Sequence, residues 1–145
     1  MDKAQLLASA QNLISVSPQT VEEYTNKRES LVAELNAIMS ERSDLEKMIG
    51  ADHQSMMNDN HTNHSRFIES LLRHYEAGML VDTVLWVFRA YRSHGFNLTY
   101  WPAQLNGWMT VLKQSLSASA YTEIEPLYQW LIVNQSSFVT LTDQT

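Results

Sequence analysis

Between Val21 and Ile49, mainly apolar side chains recur at alternating intervals of three and four residues and form a stripe along one helix face. The stripe consists of Val21, Tyr24, Arg28, Leu31, Leu35, Ile38, Arg42, Leu45 and Ile49, of which only the two arginines are charged. This spacing keeps one face of a helix apolar, and it is the heptad pattern of helices that pack side by side. Val32 and Met39 widen the apolar face, which favours a helical bundle or a helical hairpin over a two-stranded coiled coil. The segment also predicts a homodimer or a partner helix, with Arg28 and Arg42 setting the register.

Capping and turn residues divide the rest of the chain into helices. Thr20 with Glu23, and Thr122 with Glu125, have the T-x-x-E spacing of a capping box. The chain has 4 glycines and 3 prolines, which is few for a β-rich protein. We therefore expect an all-α bundle of five to six helices, with a long N-terminal heptad-patterned hairpin. The predicted helices are 2–14, 20–49, 52–77, 79–93, 102–116 and 122–138.

The sequence predicts one helical domain, 1–145, in which the two halves differ in aromatic content. Residues 1–78, the N-terminal helix and the hairpin, hold three aromatic side chains (Tyr24, Phe67 and Tyr75), and the other eleven follow. Residues 79–141 are expected to form an aromatic-rich core, and residues 142–145 a frayed tail. Gly78 is expected to end the helix 52–77, and Pro126 to lie in the first turn of the last helix.

Composition and charge exclude several classes of protein. The net charge is −6 and no block of Lys or Arg stands out, which argues against nucleic acid as a partner. The absence of cysteine excludes disulfides, thiolate metal sites and a cysteine nucleophile, and it fits a reducing compartment. No basic segment precedes an apolar stretch at the N-terminus, and residues 79–91 are too short to span a bilayer. We expect a soluble, cytoplasmic protein.

Polar side chains on the predicted helix 52–77 mark the first candidate site. Asn60, His61 and His64 share a face with Met57 and Phe67. A buried polar group is costly unless it finds a partner. Two interpretations stay open: a polar layer that hydrogen-bonds across the bundle, or a site for something that is not protein.

A metal ion is an alternative occupant of that site. His61 and His64 are three residues apart and can face one ligand. The H-E-x-x-H pattern of zinc proteases and the E-x-x-H pattern of di-iron bundles are both absent. A metal held by His61 and His64 therefore rests on these two residues alone.

A second polar cluster follows the apolar helix. Arg89 and Arg92 lie one turn apart, close to Tyr91, His94 and Trp101. Two guanidinium groups beside an aromatic loop can bind a carboxylate or a phosphate. The alternative is that they cap the helix C-terminus, where positive charge is favourable.

The same region carries a resemblance to known proteins. Residues 86–96 read WVFRAYRSHGF, and Tyr100-Trp101 and Leu105-x-x-Trp108 follow. From Leu71 to Trp130 this layout resembles helical modules of bacterial sensory and cobalamin-linked regulatory proteins. In such modules two helices joined by a glycine turn pack beside a cofactor or a partner domain, so the resemblance implies a tetrapyrrole-type cofactor. The chain lacks the cobalamin-binding D-x-H-x-x-G pattern, so no site residue is taken from the resemblance.

These features together predict a small sensory or regulatory helical protein that binds a ligand or cofactor in a pocket of the bundle. The expected ligand-binding residues are Asn60, His61, His64, Arg89, Tyr91, His94 and Trp101. No nucleophile elbow and no glycine-rich phosphate loop is present, so catalytic residues stay unknown and nothing requires an enzyme. The alternatives are a structural interaction module that acts through the heptad helix, and a histidine-ligated metal protein or enzyme.

Overall fold

The computed structural model describes residues 1–143, and in this part of the chain eight helices and no β-strand are present. The all-α prediction is confirmed. The helices are α1 Lys3–Ser9, α2 Pro18–Ser40, α3 Leu45–Ile49, α4 Gln54–Arg73, α5 Ala77–Ser93, α6 Tyr100–Ser115, α7 Ala118–Val133 and α8 Gln135–Thr142. No helix among them is both long enough and apolar enough to cross a membrane.

The predicted helix 20–49 is wrong as one continuous element. It is divided into α2 and α3 by a turn at residues 41–44, in which the Arg42 guanidinium donates to Asp44 at 2.9 and 3.0 Å. The stripe has no apolar residue between Ile38 and Leu45, so this stretch has no side chain to bury and no packing holds it helical. This division, together with the separate α8, raises the number of helices above the expected five or six.

The apolar face of α2 is covered by the chain itself. Tyr24, Leu31 and Leu35 are fully buried, and α2 packs against α4, α6 and α7. Arg28, expected to set the register of a dimer, forms an ion pair with Glu69 of α4 at 3.3 Å. The surface predicted for a homodimer is therefore largely used within one chain.

Serine residues, and not the predicted threonines, cap α2 and α7. Ser17 Oγ accepts a hydrogen bond from the backbone N–H of Thr20 at 3.2 Å, and Ser117 Oγ accepts one from Ala120 at 3.2 Å. Pro18 occupies the first position of α2, where its missing N–H is no loss. Both helices consequently begin earlier than the T-x-x-E pattern indicates.

The second predicted capping box fails for the same reason. Thr122 and Glu125 lie inside α7, and the gap between the predicted helices 102–116 and 122–138 contains its cap and first turn. Pro126 is internal to α7 and is not in its first turn. Gly78 likewise lies within the first turn of α5, because α4 has already ended at Arg73.

Two glutamates link the starts of α2 and α7. Glu23 of α2 accepts hydrogen bonds from Ser117 N at 2.6 Å and Ser117 Oγ at 2.8 Å. Glu123 of α7 accepts from Ser17 N and Ser17 Oγ, both at 3.1 Å, and from Thr20 Oγ1. In each helix the glutamate follows the capping serine by six residues. We call these four groups the reciprocal caps, because each helix supplies a carboxylate to the positive N-terminus of the other.

The C-terminal helix is held by arginines of α5. Arg92 donates to Val139 O at 3.3 Å and Thr142 Oγ1 at 3.2 Å, and it pairs with Asp143 at 2.9 Å. Thr142 is buried, so the predicted fraying does not begin there. Residues 144–145 of the predicted tail lie outside the described residues.

Candidate ligand-binding site

Helix α4 carries polar side chains into the interior of the bundle. His61 is fully buried, and Asn60 is 4% exposed. His64, one turn further along, is partly exposed. The apolar residues Met57 and Ile68 on the same face are also fully buried, so the stripe inferred from the sequence does face inward.

The buried polar groups form a connected network that joins α2, α4 and α6. One ring nitrogen of His61, Nδ1, lies 2.6 Å from the side-chain oxygen Oδ1 of Asn36. The other, Nε2, lies 3.0 Å from the hydroxyl of Tyr100. That hydroxyl donates to Asn60 Oδ1 at 2.7 Å, and Gln104 Nε2 donates to the same oxygen at 3.4 Å. We call these five residues the polar network.

The ring proton of His61 sets the direction of its bonds. Asn36 Oδ1 can only accept, so His61 carries its proton on Nδ1 and donates it to that oxygen. His61 Nε2 is then an acceptor, and the single proton of the Tyr100 hydroxyl faces two acceptors, His61 Nε2 and Asn60 Oδ1.

Loss of hydration keeps both histidines neutral, although the side chain of His64 is partly exposed. Burial lowers the pKa of His61 to about 4. Burial, and next the nearby His61, lower the pKa of His64 to about 3. His64 Nε2 lies 2.7 Å from the Tyr128 hydroxyl, and its ring stacks on Trp108 with centroids 5.1 Å apart. Within residues 1–143 no carboxylate hydrogen-bonds to either ring, so nothing there stabilises an imidazolium.

A cavity of about 250 Å³ lies beside the polar network, bounded by α4, α5, α6, α7 and α8. Its walls are mainly apolar and aromatic. They consist of Asn60, Asn63, His64, Phe67, Ile68, Thr83, Val84, Trp86, Val87, Phe88, Tyr91, Trp101, Gln104, Leu105, Leu131 and Phe138. None of these described lining residues is Asp, Glu, Lys or Arg. An apolar pocket with a few polar groups is the usual form of a small-molecule site.

The structure brings together some of the predicted site residues and separates others. Asn60, His64, Tyr91 and Trp101 line the cavity. His61 does not line it and belongs to the polar network behind Asn60 and Tyr100.

Arg89 and His94 do not belong to this site. Arg89 donates to Leu141 O at 3.3 Å, so it contributes to holding α8, as Arg92 does. Positive side chains of α5 thus bind the last carbonyls of α8. The capping interpretation from the sequence had them bind the last carbonyls of their own helix. His94 is exposed at the end of α5.

The sequence-based reasoning missed several residues of the site. Gln104 and Leu105 of α6, and Phe138 of α8, contribute to the cavity, while Asn36 and Tyr128 hold the two histidines. Gln104 follows Tyr100 by one helical turn within an apolar face, which is a signal that could have identified it. Nothing in the local pattern of Asn36 distinguishes it from a surface amide.

The donors of the network do not fit a metal ion. Both nitrogens of His61 are engaged with protein groups, and Nε2 of His64 contacts Tyr128. No group of three or more His, Cys, Asp or Glu residues suited to a metal ion is present among the described residues. The cavity, at about 250 Å³, is also smaller than the roughly 300–1,000 Å³ of drug-sized pockets, which excludes a tetrapyrrole in this conformation.

Comparisons of the chain with protein-family models, curated proteins and solved structures found no match.

Replacing Tyr100 with phenylalanine is expected to break the polar network. The change keeps the ring but removes the hydroxyl that contacts His61 Nε2 and donates to Asn60 Oδ1. We expect the free energy of unfolding to fall by about 1–3 kcal/mol, the cost of leaving buried groups unpaired. Urea denaturation measures this loss. Tyr121→Phe, at a partly exposed position of α7, is the control and should change it by less than about 0.5 kcal/mol. Equal effects would mean that the Tyr100 hydroxyl is not needed.

Proposed function

We propose that this protein is a small sensory or regulatory helical protein that binds a small uncharged ligand in the cavity beside the polar network. The observation that carries the proposal is the cavity itself: about 250 Å³ of space, walled by aromatic and aliphatic side chains and ending at two buried amides. The space is partly open, because Trp86 and Asn63 on its lining are exposed. A ligand that fills it would remove the apolar surface of its walls from water, which is favourable.

The walls of the cavity favour a flat, apolar molecule. Phe88 and Trp101 stack with centroids 4.5 Å apart and an interplanar angle of 18°. Phe138 meets Phe88 edge-on at 5.3 Å. Trp86 also lines the cavity and is 66% exposed, so part of the lining is accessible to solvent. Aromatic side chains at such contacts add energy beyond their area alone.

Helix α8 is the element through which binding would be signalled. Its Phe138 lines the cavity, while Arg89 and Arg92 bind its C-terminal carbonyls. A ligand against Phe138 therefore contacts a helix of only eight residues, whose C-terminal end is tied to α5 by exposed or partly exposed hydrogen bonds. Elements held in this way open at low free energy, which makes α8 suited to report occupancy to a partner.

The two alternative functions, an interaction module and a histidine-ligated metal protein or enzyme, have less support. An interaction module that uses the heptad face of α2 needs a free surface, and that face is covered by α4, α6 and α7. A metal protein needs open donors, and the ring nitrogens of His61 are both used.

Binding of naphthalene, a neutral two-ring probe, tests the proposal. We expect saturable binding, with chemical-shift changes in proton–nitrogen correlation spectra concentrated at cavity residues, and slower amide exchange in α8. Val87→Trp should abolish binding because the indole fills the cavity. Met79→Trp, at an exposed position of α5 outside the cavity, should leave binding unchanged. Thr83→Trp, also on the lining, replaces Val87→Trp if that variant fails to fold.

Two results would contradict the proposal. One is the absence of any saturable naphthalene binding to the folded protein. The other is binding that Val87→Trp and Met79→Trp leave equally intact, since the probe would then be bound at the surface.

A further inference from the structure

We infer that the ligand is a neutral molecule of one or two rings that carries a hydrogen-bond donor and acceptor side by side, as a lactam or a carboxamide does. The inference rests on the proposed ligand-binding function and specifies what the cavity selects. Its basis is a pair of adjacent side-chain amides at the polar end of an otherwise apolar space.

The two amides are buried, and both line the cavity. Asn60 is 4% exposed and Gln104 is 1% exposed. Gln104 Nε2 and Asn60 Oδ1 are 3.4 Å apart. Asn60 Oδ1 also accepts the proton of Tyr100 at 2.7 Å, so both lone pairs of this oxygen are used.

What remains unused on this pair is a donor and an acceptor. Gln104 Oε1 accepts no hydrogen bond from the described residues. Gln104 Nε2 carries two hydrogens, and only one of them is used, in the bond to Asn60. Buried amides are nearly always hydrogen-bonded, so these groups call for a partner in the cavity. A lactam supplies both halves: its N–H donates to Gln104 Oε1, and its carbonyl accepts from an amide N–H.

Charge and size narrow the class further. No described lining residue is Asp, Glu, Lys or Arg, and the lowered pKa of His64 keeps that ring neutral, so an anion or a cation would lose its hydration without gaining a counter-charge. The volume of about 250 Å³ exceeds the roughly 150 Å³ of an engineered apolar cavity that binds benzene. It is below the range for drug-sized ligands, so one or two rings is the size that fits.

Three bicyclic probes of similar size separate these properties: naphthalene with no polar group, the lactam carbostyril, and the anion quinaldate. Calorimetric titration of the whole protein measures each. We expect carbostyril and naphthalene to bind and quinaldate not to bind. Gln104→Leu should weaken the binding affinity for carbostyril about tenfold, because it removes one hydrogen-bonding partner and leaves the ligand N–H unpaired. The same change should alter naphthalene affinity by no more than about twofold.

Gln129→Leu, an exposed change on α7, is the matched control and should alter neither affinity. Gln104→Met replaces Gln104→Leu if that variant does not fold. If naphthalene binds but Gln104→Leu leaves carbostyril affinity unchanged, the lactam class is overturned while ligand binding stands. Tight binding of quinaldate overturns the neutral class. If the unmodified protein binds none of the three probes, the proposed function itself fails.

Discussion

Lowering the pH from about 6.5 towards 4 is expected to destabilise this protein steeply, through His61 and His64. Burial lowers the pKa of the first to about 4 and of the second to about 3, whereas an unfolded chain titrates near 6.5. The folded state therefore binds fewer protons than the unfolded state within this window. The stability is complete above about pH 6.5 and falls as the pH drops towards the folded values.

The size of this effect follows from the number of protons. Each histidine contributes a slope of at most about 1.4 kcal/mol per pH unit. For two histidines, the loss between about pH 6 and 4 is on the order of 3–5 kcal/mol. Because small domains are typically stable by only about 5–15 kcal/mol, much of the protein should unfold there.

Denaturant unfolding measured at a series of pH values tests this expectation. His61→Gln and His64→Gln each remove one titrating ring, so each should reduce the slope between about pH 6 and 4.5 by about half. The comparison concerns slopes, since both changes also lower stability at neutral pH. His94→Gln, at an exposed position, should leave the slope unchanged. An unmodified protein whose stability is flat across this window would show that the two rings are not buried in neutral form.

Removing both carboxylates of the reciprocal caps is expected to have the second large effect. Glu23→Ala leaves the N–H and the hydroxyl of Ser117 without their acceptor, and Glu123→Ala does the same to Ser17. A partly exposed carboxylate with charge-assisted bonds of this kind contributes about 1–2 kcal/mol in total. We expect the double variant to lose about 2–4 kcal/mol of unfolding free energy.

The exposed neighbour Glu22 provides the control for this comparison. Glu22→Ala removes the same charge from the first turns of α2 without touching a capping serine, and it should cost less than about 0.5 kcal/mol. Hydrogen bonds, from the Ser117 backbone for Glu23 and from the Thr20 hydroxyl for Glu123, hold both pKa values below the usual glutamate range. This contribution is therefore present at neutral pH and is lost as the pH falls from about 4.5, the ordinary glutamate value, through those lowered values, so it overlaps only the lower end of the histidine window. A double variant no weaker than Glu22→Ala would remove the reciprocal caps from the account of stability.

The inward face of α4 could be predicted from sequence because it depends on one helix alone. The spacing of Met57, His61 and Ile68 fixes a face, and all three are fully buried. The partners of that face could not be predicted in the same way. Asn36 and Tyr100 reach His61 from helices 25 and 39 residues away in sequence, and helical periodicity contains no information about which helices meet.

The errors in helix boundaries have local physical causes. The heptad spacing of the sequence continues through residues 41–44, although the helix does not. The heptad position in this stretch is Arg42, which binds Asp44 at the surface. At the start of α2, Thr20 and Glu23 match a capping box, yet Glu23 binds Ser117, the serine that caps α7. Thr122 and Glu125 match the same pattern but lie inside α7, because Ser117 caps that helix. A short motif cannot distinguish a cap within one helix from a cap supplied across the fold.

A crystal structure of the protein grown with naphthalene tests the central claim most directly. The account predicts electron density for the two rings between Phe88 and Gln104, with Phe138 against the ligand and the polar network unchanged. Density for naphthalene on the surface only, with the space between α4, α5 and α6 closed by its own side chains, would contradict it.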